Sequence, residues 1–118
     1  MALTIYHNPR CSKSRKTLQL IRDAGIEPVI VLYLKNPPDA AQIIELAERL
    51  GEPIVALLRQ GESEFKQADD LPALDDDQAL ADWLTAHPLV PQRPIVVDAD
   101  SGRAIVGRPP ENVEELMG

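Results

Sequence analysis

A change of hydrophobic period within the first 34 residues limits what this chain can fold into. "LTIYH" (3–7) alternates and is rich in β-formers, so it reads as a strand. From about Ser12 to Ala24 the period becomes helical. Leu18 with Ile21, and Leu20 with Ala24, recur at spacings of three and four, and Gly25 stops the run. "PVIVLYL" (28–34) is a continuous apolar run, the pattern of a strand buried on both faces. Strand, helix and strand in this order form a βαβ unit, which is right-handed with parallel strands.

"KNPPD" (35–39) breaks the pattern. Asp39 can cap a helix through Gln42, with Ile43, Ile44, Leu46, Ala47 and Leu50 as its apolar face and Gly51 as its end. "EPIVALLRQG" (52–61) reads as a short helix that starts with Pro53 and stops at Gly61. Residues 62–74 read as a loop with a short turn. Asp75 or Asp76 opens another helix to about Ala86, which buries Leu80, Trp83 and Leu84 before Pro88 terminates it. "RPIVVDADSGRAIV" (93–106) reads as a β-hairpin whose turn contains Asp98, Asp100 and Gly102. Pro109 and Pro110 open a last helix over "ENVEELM". The element order is β-α-β, a helical block, then β-β-α. With 118 residues and no repeat, low-complexity tract or linker, the expectation is one α/β domain over 1–118.

Charge is unevenly distributed. Residues 1–35 carry six basic and two acidic side chains, and residues 36–118 carry six and seventeen, for a net charge of -7. That balance argues against nonspecific nucleic-acid binding but leaves a basic N-terminal segment suited to a small anion. No apolar run reaches the roughly 18 residues of a membrane span, and "MALTIYHNPR" has no signal-peptide core, so a cytoplasmic location is the default expectation. His7 and His87 are the only histidines and Cys11 the only cysteine, so no zinc-site spacing exists.

Four of the twelve Lys and Arg residues fall within Arg10–Lys16, around Cys11. Cys11 lies where the first strand turns into the first helix. The unpaired N–H groups and partial positive charge of a helix start favour a thiolate, and Arg10, Lys13 and Arg15 add to that field. A thiolate is the nucleophilic form, and the same helix end accepts an oxyanion. These neighbours are unlike those of an inert core cysteine. Cys11 is therefore expected to titrate below the roughly 8.5 of an ordinary thiol. His7, at the strand end, either tunes the thiolate or satisfies the loop. Asn8 and Pro9 signal a turn, and Ser12 and Ser14 either cap the helix or contact the thiolate or a bound anion. A single cysteine excludes an internal disulfide, so any redox cycle needs an outside thiol. A C-x-x-C motif would need cysteine where Ser14 stands, and a C-x5-R phosphatase loop would need arginine where Thr17 stands.

"IYHNPRCSKSRKTLQLIRDAG", "YLKNPP" (33–38), "ALLRQ" (56–60), "HPLVPQRPIVV" (87–97) and "GRP" (107–109) follow one another at intervals similar to those of the glutaredoxin-coupled arsenate reductases. The resemblance spans nearly the whole chain. It implies a thioredoxin-like mixed sheet with a helical insertion at about 39–87, in agreement with the element order above. It also implies that Cys11 is the nucleophile and that Arg59, Arg93 and Arg108 bind the oxyanion. His7 and Ser14 match positions that assist the cysteine, and Pro94 matches the cis-proline that faces it.

The implied chemistry is reduction of arsenate. Arginine stays protonated and presents paired donors suited to a tetrahedral oxyanion. The Cys11 thiolate would attack arsenate, glutathione would reduce the adduct as co-substrate, and glutaredoxin would take up the glutathione. No bound cofactor and no metal is expected, and the expected partners are arsenate, glutathione and glutaredoxin. Two other readings use the same residues. A thiol oxidoreductase or deglutathionylase would keep Cys11 without needing three arginines. A redox-responsive transcriptional regulator of the Spx type would commonly use the C-x-x-C that Ser14 removes.

Overall fold

The computed structural model describes residues 2–88, 90–91 and 94–117. The chain divides into two compact units, residues 1–36 with 93–118, and residues 37–92.

The first unit is built on a four-stranded sheet. Its elements are β1 (Leu3–His7), α1 (Ser12–Asp23), β2 (Val29–Leu32), β3 (Ile95–Asp98), β4 (Ala104–Val106), a 3-10 turn (Pro110–Val113) and α5 (Glu114–Met117). Three further helices belong to the second unit and are described below. The strand order is β2-β1-β3-β4. β1 and β2 run parallel, with Thr4 opposite Val29 and His7 opposite Leu32. β3 is antiparallel to β1, with Ile5 opposite Val96, and β4 is antiparallel to β3. The sheet is thus the mixed α/β sheet expected, with a crossover helix between its parallel strands and a hairpin at its other side. Gly102 sits at φ 75° in the hairpin turn, a conformation that favours glycine.

β1 alternates as a half-buried strand should. Leu3, Ile5 and His7 are buried, and Thr4 and Tyr6 are partly so. Leu3, Ile5, Leu18, Ile21, Val96, Val113 and Leu116 form the core cluster of this unit. Every one is aliphatic, as the 3% aromatic content requires.

Two expectations about this unit need correction. β2 is not buried on both faces. It is an outer strand, with Val29 64% and Ile30 37% exposed. An apolar run reports β-propensity but does not distinguish a central strand from an edge, and Pro28 at its start is compatible with an edge. The buried face of α1 is also rotated and starts earlier than the aliphatic residues suggest. It consists of Ser14, Thr17, Leu18 and Ile21, while Ala24 is exposed.

The second unit contains α2 (Ala40–Leu50), a 3-10 turn (Ile54–Leu57), α3 (Ser63–Lys66) and α4 (Asp77–Ala86). Asp39 forms a full capping box, with Gln42 N–H donating to its Oδ1 at 2.8 Å and its own N–H donating to Gln42 Oε1 at 2.9 Å. Gly51 closes the helix at φ 71°. Asp76, rather than Asp75, caps α4 by accepting from Ala79 N–H at 3.1 Å. α2 packs on α4, burying Ile43, Leu46 and Ala47 on one and Leu80, Ala81 and Leu84 on the other.

The stretch read as a helix over 52–61 is only a 3-10 turn. Leu58 leaves it in an extended conformation and bridges to Pro91, so the chain exchanges helical for cross-chain hydrogen bonds there. The last helix is likewise split into the 3-10 turn Pro110–Val113 and α5. Within 62–74, read as a loop, lies the single turn α3. Trp83 donates from Nε1 to Asp70 at 3.0 Å and stacks on His87 at 4.1 Å, with Phe65 set edge-on at 6.5 Å. Among the described residues no helix is long and apolar enough to cross a membrane.

Candidate active site

The residues between β1 and α1 form a tight, internally bonded turn. Cys11 N–H donates to Asn8 O at 3.0 Å, and Arg10 N–H donates to Asn8 Oδ1 at 3.0 Å. Asn8 therefore closes the turn twice, with its carbonyl and with its side chain. Cys11 is the N-cap residue of α1, in an extended conformation, and its carbonyl accepts from Arg15 N–H at 3.0 Å. The residue is half-buried. A side chain at this position faces the N–H groups of the first helical turn, the positive end of the helix dipole. No acidic residue lies in that first turn.

His7 and Ser14 meet beneath the turn. His7 Nδ1 and Ser14 Oγ are 2.6 Å apart, and Ser14 Oγ also accepts from Asn8 N–H at 3.1 Å. Ser14 is fully buried and His7 is 6% exposed. Burial holds the His7 imidazole below its ordinary pKa, and the positive charges of Arg22 and Arg15 push it the same way. Both effects favour the neutral form of the ring. Its contact with Ser14 ties the end of β1 to the first turn of α1, and Cys11 stands between them in sequence.

Pro94 and Arg108 are anchored on the same unit. Gly107 N–H donates to Pro94 O at 2.8 Å. Gly107 has no room for a side chain: a Cβ there would lie 2.5 Å from Thr17 Oγ1 and 2.9 Å from Pro94 Cγ. Residue 107 is therefore pressed between α1 and Pro94, and Arg108 leaves from that point. Asn112 Nδ2 donates to the carbonyls of Val106 and Arg108, both at 3.2 Å, and pins the backbone on either side of Gly107. The Arg108–Pro109 peptide bond is cis. Arg108 Nη1 is shielded from solvent and has no hydrogen-bond partner among the described residues. A buried cationic donor without an acceptor is costly, and its cost is relieved when an anion fills the place.

Arg59 belongs to the second unit. Its N–H donates to Val90 O at 2.9 Å and its guanidinium Nη1 lies 3.4 Å from Glu62 Oε2. Both side chains are largely buried, at 24% and 21% exposure. Arg93 lies outside the described residues, and with it the isomer of the bond to Pro94. Thr17, Gly107 and Asn112 were not legible as site residues. One signal was available for Thr17: it falls three residues after Ser14, on the same helical face. Among the described residues no cluster of three or more His, Cys, Asp or Glu is arranged to hold a metal ion.

The mixed α/β sheet, with a cysteine at the start of its crossover helix, is a thioredoxin-like scaffold. The ArsC family model matches residues 6–116, and the chain belongs to that family. It is 39% identical to an arsenate reductase of Haemophilus influenzae over 99% of this chain and 100% of that one. It is 44% identical to the uncharacterised Escherichia coli K12 protein YfgD, over 97% of this chain and 95% of that one. The solved structure of an arsenate reductase from Vibrio cholerae superposes with a TM-score of 0.86 at 39% identity, covering 98% of this chain and 97% of that one.

Proposed function

We propose that this protein reduces arsenate to arsenite through a covalent adduct on Cys11. The observation that carries the reading is Arg108 Nη1, a buried guanidinium nitrogen with no acceptor among the described residues, on the same unit as a cysteine that caps a helix. An oxyanion supplies the missing acceptor, and arginine suits one because it stays charged and offers its donors in a planar fork. Membership of the ArsC family, with arsenate reductases among the similar proteins, supports the choice of oxyanion.

In this reading the Cys11 thiolate attacks arsenic(V), a sulfur–arsenic bond forms, and an arsenate oxygen leaves as water after protonation. Arg93 and Arg108, on the same unit as Cys11, offset the oxyanion charge that otherwise repels the thiolate. Two electrons then reduce arsenic(V) to arsenic(III). They come from two thiols, which end joined as a disulfide. The chain has one cysteine, which is bonded to arsenic at this point, so both of these thiols are external. Glutathione and then glutaredoxin fill that role and end as their mixed disulfide; water then cleaves the sulfur–arsenic(III) bond, so that arsenite departs and Cys11 returns to a thiol. The scheme requires no bound cofactor. His7 and Ser14 hold the turn that presents Cys11, and Pro94 backs the loop that presents Arg108.

The test is arsenate-dependent NADPH oxidation in the presence of glutathione, glutaredoxin and glutathione reductase. The wild type turns over, and Arg108→Ala lowers the rate by about 10- to 1000-fold, the scale for losing an oxyanion donor. No turnover with competent partners rejects arsenate as the substrate and leaves a thiol oxidoreductase of another kind.

A further inference from the structure

We infer that Asn112 is a positioning residue: it sets Arg108 in register with Cys11 by tying the loop that carries the arginine to α1. This deepens the reading above and rests on Arg108 being a donor to the oxyanion.

Three observations carry it. The first is a backbone left loose by its own packing. Arg108 follows Gly107, where an added Cβ would lie 2.5 Å from Thr17 Oγ1 and 2.9 Å from Pro94 Cγ. The close approach demands glycine, and glycine restrains the backbone least of all residues. The peptide that follows needs a restraint from elsewhere. Arg108 Nη1 has no acceptor among the described residues, so no partner at that nitrogen aims the guanidinium.

The second is a clamp. Asn112 Nδ2 donates to Val106 O and to Arg108 O, both at 3.2 Å. These carbonyls lie on either side of Gly107. A side-chain amide nitrogen has two hydrogens, and both are spent on this bridge. Carbonyl oxygens only accept, so the amide atom that faces them is the nitrogen. The backbone N–H of Asn112 donates to Pro109 O at 3.0 Å, which adds a further tie to the same segment.

The third is where the clamp is mounted. Asn112 lies in the 3-10 turn Pro110–Val113, which packs on α1. Pro110 and Val113 are buried, and Val113 shares the core cluster with Leu18 and Ile21 of α1. Cys11 caps that same helix. Arginine and thiol are thus referred to one helix, the first through Asn112 and the second through the N-cap. Such a reference matters because a misplacement of about 1 Å can cost on the order of 100-fold at a reacting centre.

The experiment measures alkylation of Cys11 by iodoacetamide, a neutral reagent, in rising arsenate and with no other thiol present. The rate without arsenate reports the thiol and its turn. The arsenate concentration that halves the rate reports the oxyanion site. Wild type, Asn112→Ala, Arg108→Ala and the double variant form a cycle. Asn112 is only partly buried and lies outside the core cluster, so Val113 and Leu116 stay packed when it is truncated. Asn112→Gln, which keeps the amide on a longer stem, is the second variant.

Asn112→Ala is expected to raise the half-protecting concentration about tenfold and to leave the unprotected rate within about twofold. Asn112→Gln falls between it and wild type. In the Arg108→Ala background the same truncation has no further effect, because the clamp acts through that side chain. An effect of equal size in both backgrounds overturns the inference, since it shows a merely structural role. So does an unprotected rate that changes as much as the protection does. If arsenate protects the wild type and the Asn112 variants alike, Arg108 keeps its place as an oxyanion donor and only the inference falls. If arsenate protects nothing, both fall. If the expected pattern appears without turnover in the coupled assay, the clamp stands and arsenate falls as the substrate.

Discussion

The two long N-terminal helices begin in opposite ways. α2 starts with a reciprocal capping box from Asp39 and Gln42 and ends on a left-handed glycine. α1 starts on Cys11 and places Lys13, Arg15 and Lys16 near the positive end of its dipole. The buried face of α2 is Ile43, Leu46 and Ala47, whereas that of α1 opens with Ser14 and Thr17 before it reaches Leu18. α2 thus has a capped start and a left-handed glycine stop, whereas α1 sets basic residues at the positive end of its dipole. Local rules tend to fail where a site is built, and the contrast agrees with the role proposed for Cys11 at the start of α1.

The largest expected effect separates the two helices by chemistry. Cys11→Ser abolishes arsenate turnover, since no other sulfur nucleophile exists in the chain. Cys11→Asp abolishes it too, and it raises stability by about 0.5–1 kcal/mol because an aspartate is a good cap. Denaturant melts and the coupled assay give both numbers. A destabilised Cys11→Asp protein would break the contrast, for it would mean that cysteine is already the preferred start of α1.

Next is the wedge against the face of α1. Gly107→Ala is expected to cost about 1–3 kcal/mol, the range for overpacking a filled site. Thr17→Ala in the same chain recovers part of that loss by removing the 2.5 Å clash. Strict additivity in the double-mutant cycle would show that residue 107 does not press on α1.

Asp39→Ala is expected to cost about 1 kcal/mol of stability, the usual value of an N-cap, without changing the alkylation rate of Cys11. A changed alkylation rate would contradict the assignment of α2 to scaffold alone.

The smallest effect is a pH slope. Burial lowers the His7 pKa from its ordinary 6.5, so the unfolded chain takes up a proton before the folded one does. Stability is fully retained above about 6.5 and declines as the pH falls from there toward the lowered folded value. His7→Gln flattens that part of the profile. An unchanged slope would mean that His7 titrates normally in the fold.

Much of this was legible in the chain. The strand-to-helix switch, the Asp39 cap, both helix-ending glycines and the hairpin are set by short-range chemistry, and they appear where that chemistry puts them. The position of Cys11 at a helix start was readable for the same reason. What could not be read depends on neighbours far away in sequence. The outer position of β2 follows from strand order, not from the composition of "PVIVLYL". The polar buried face of α1 follows from what packs against it: Thr17 is buried because Gly107 and Pro94 come to lie there, ninety and seventy-seven residues later in the chain. That Arg108 Nη1 has no partner among the described residues is a property of burial, and a sequence carries no direct sign of it.

Trp83 gives the molecule an optical consequence. It is the only tryptophan, and its indole is stacked on His87 and bonded to Asp70 within residues 37–92. Its emission therefore reports on that unit, while the single thiol reports on the other. A denaturation followed by fluorescence and by the rate of Cys11 labelling observes each unit through its own signal. Coincident midpoints would identify one cooperative body, and separated midpoints would reveal two. A chain with one tryptophan and one cysteine, placed in different units, is already labelled for that experiment.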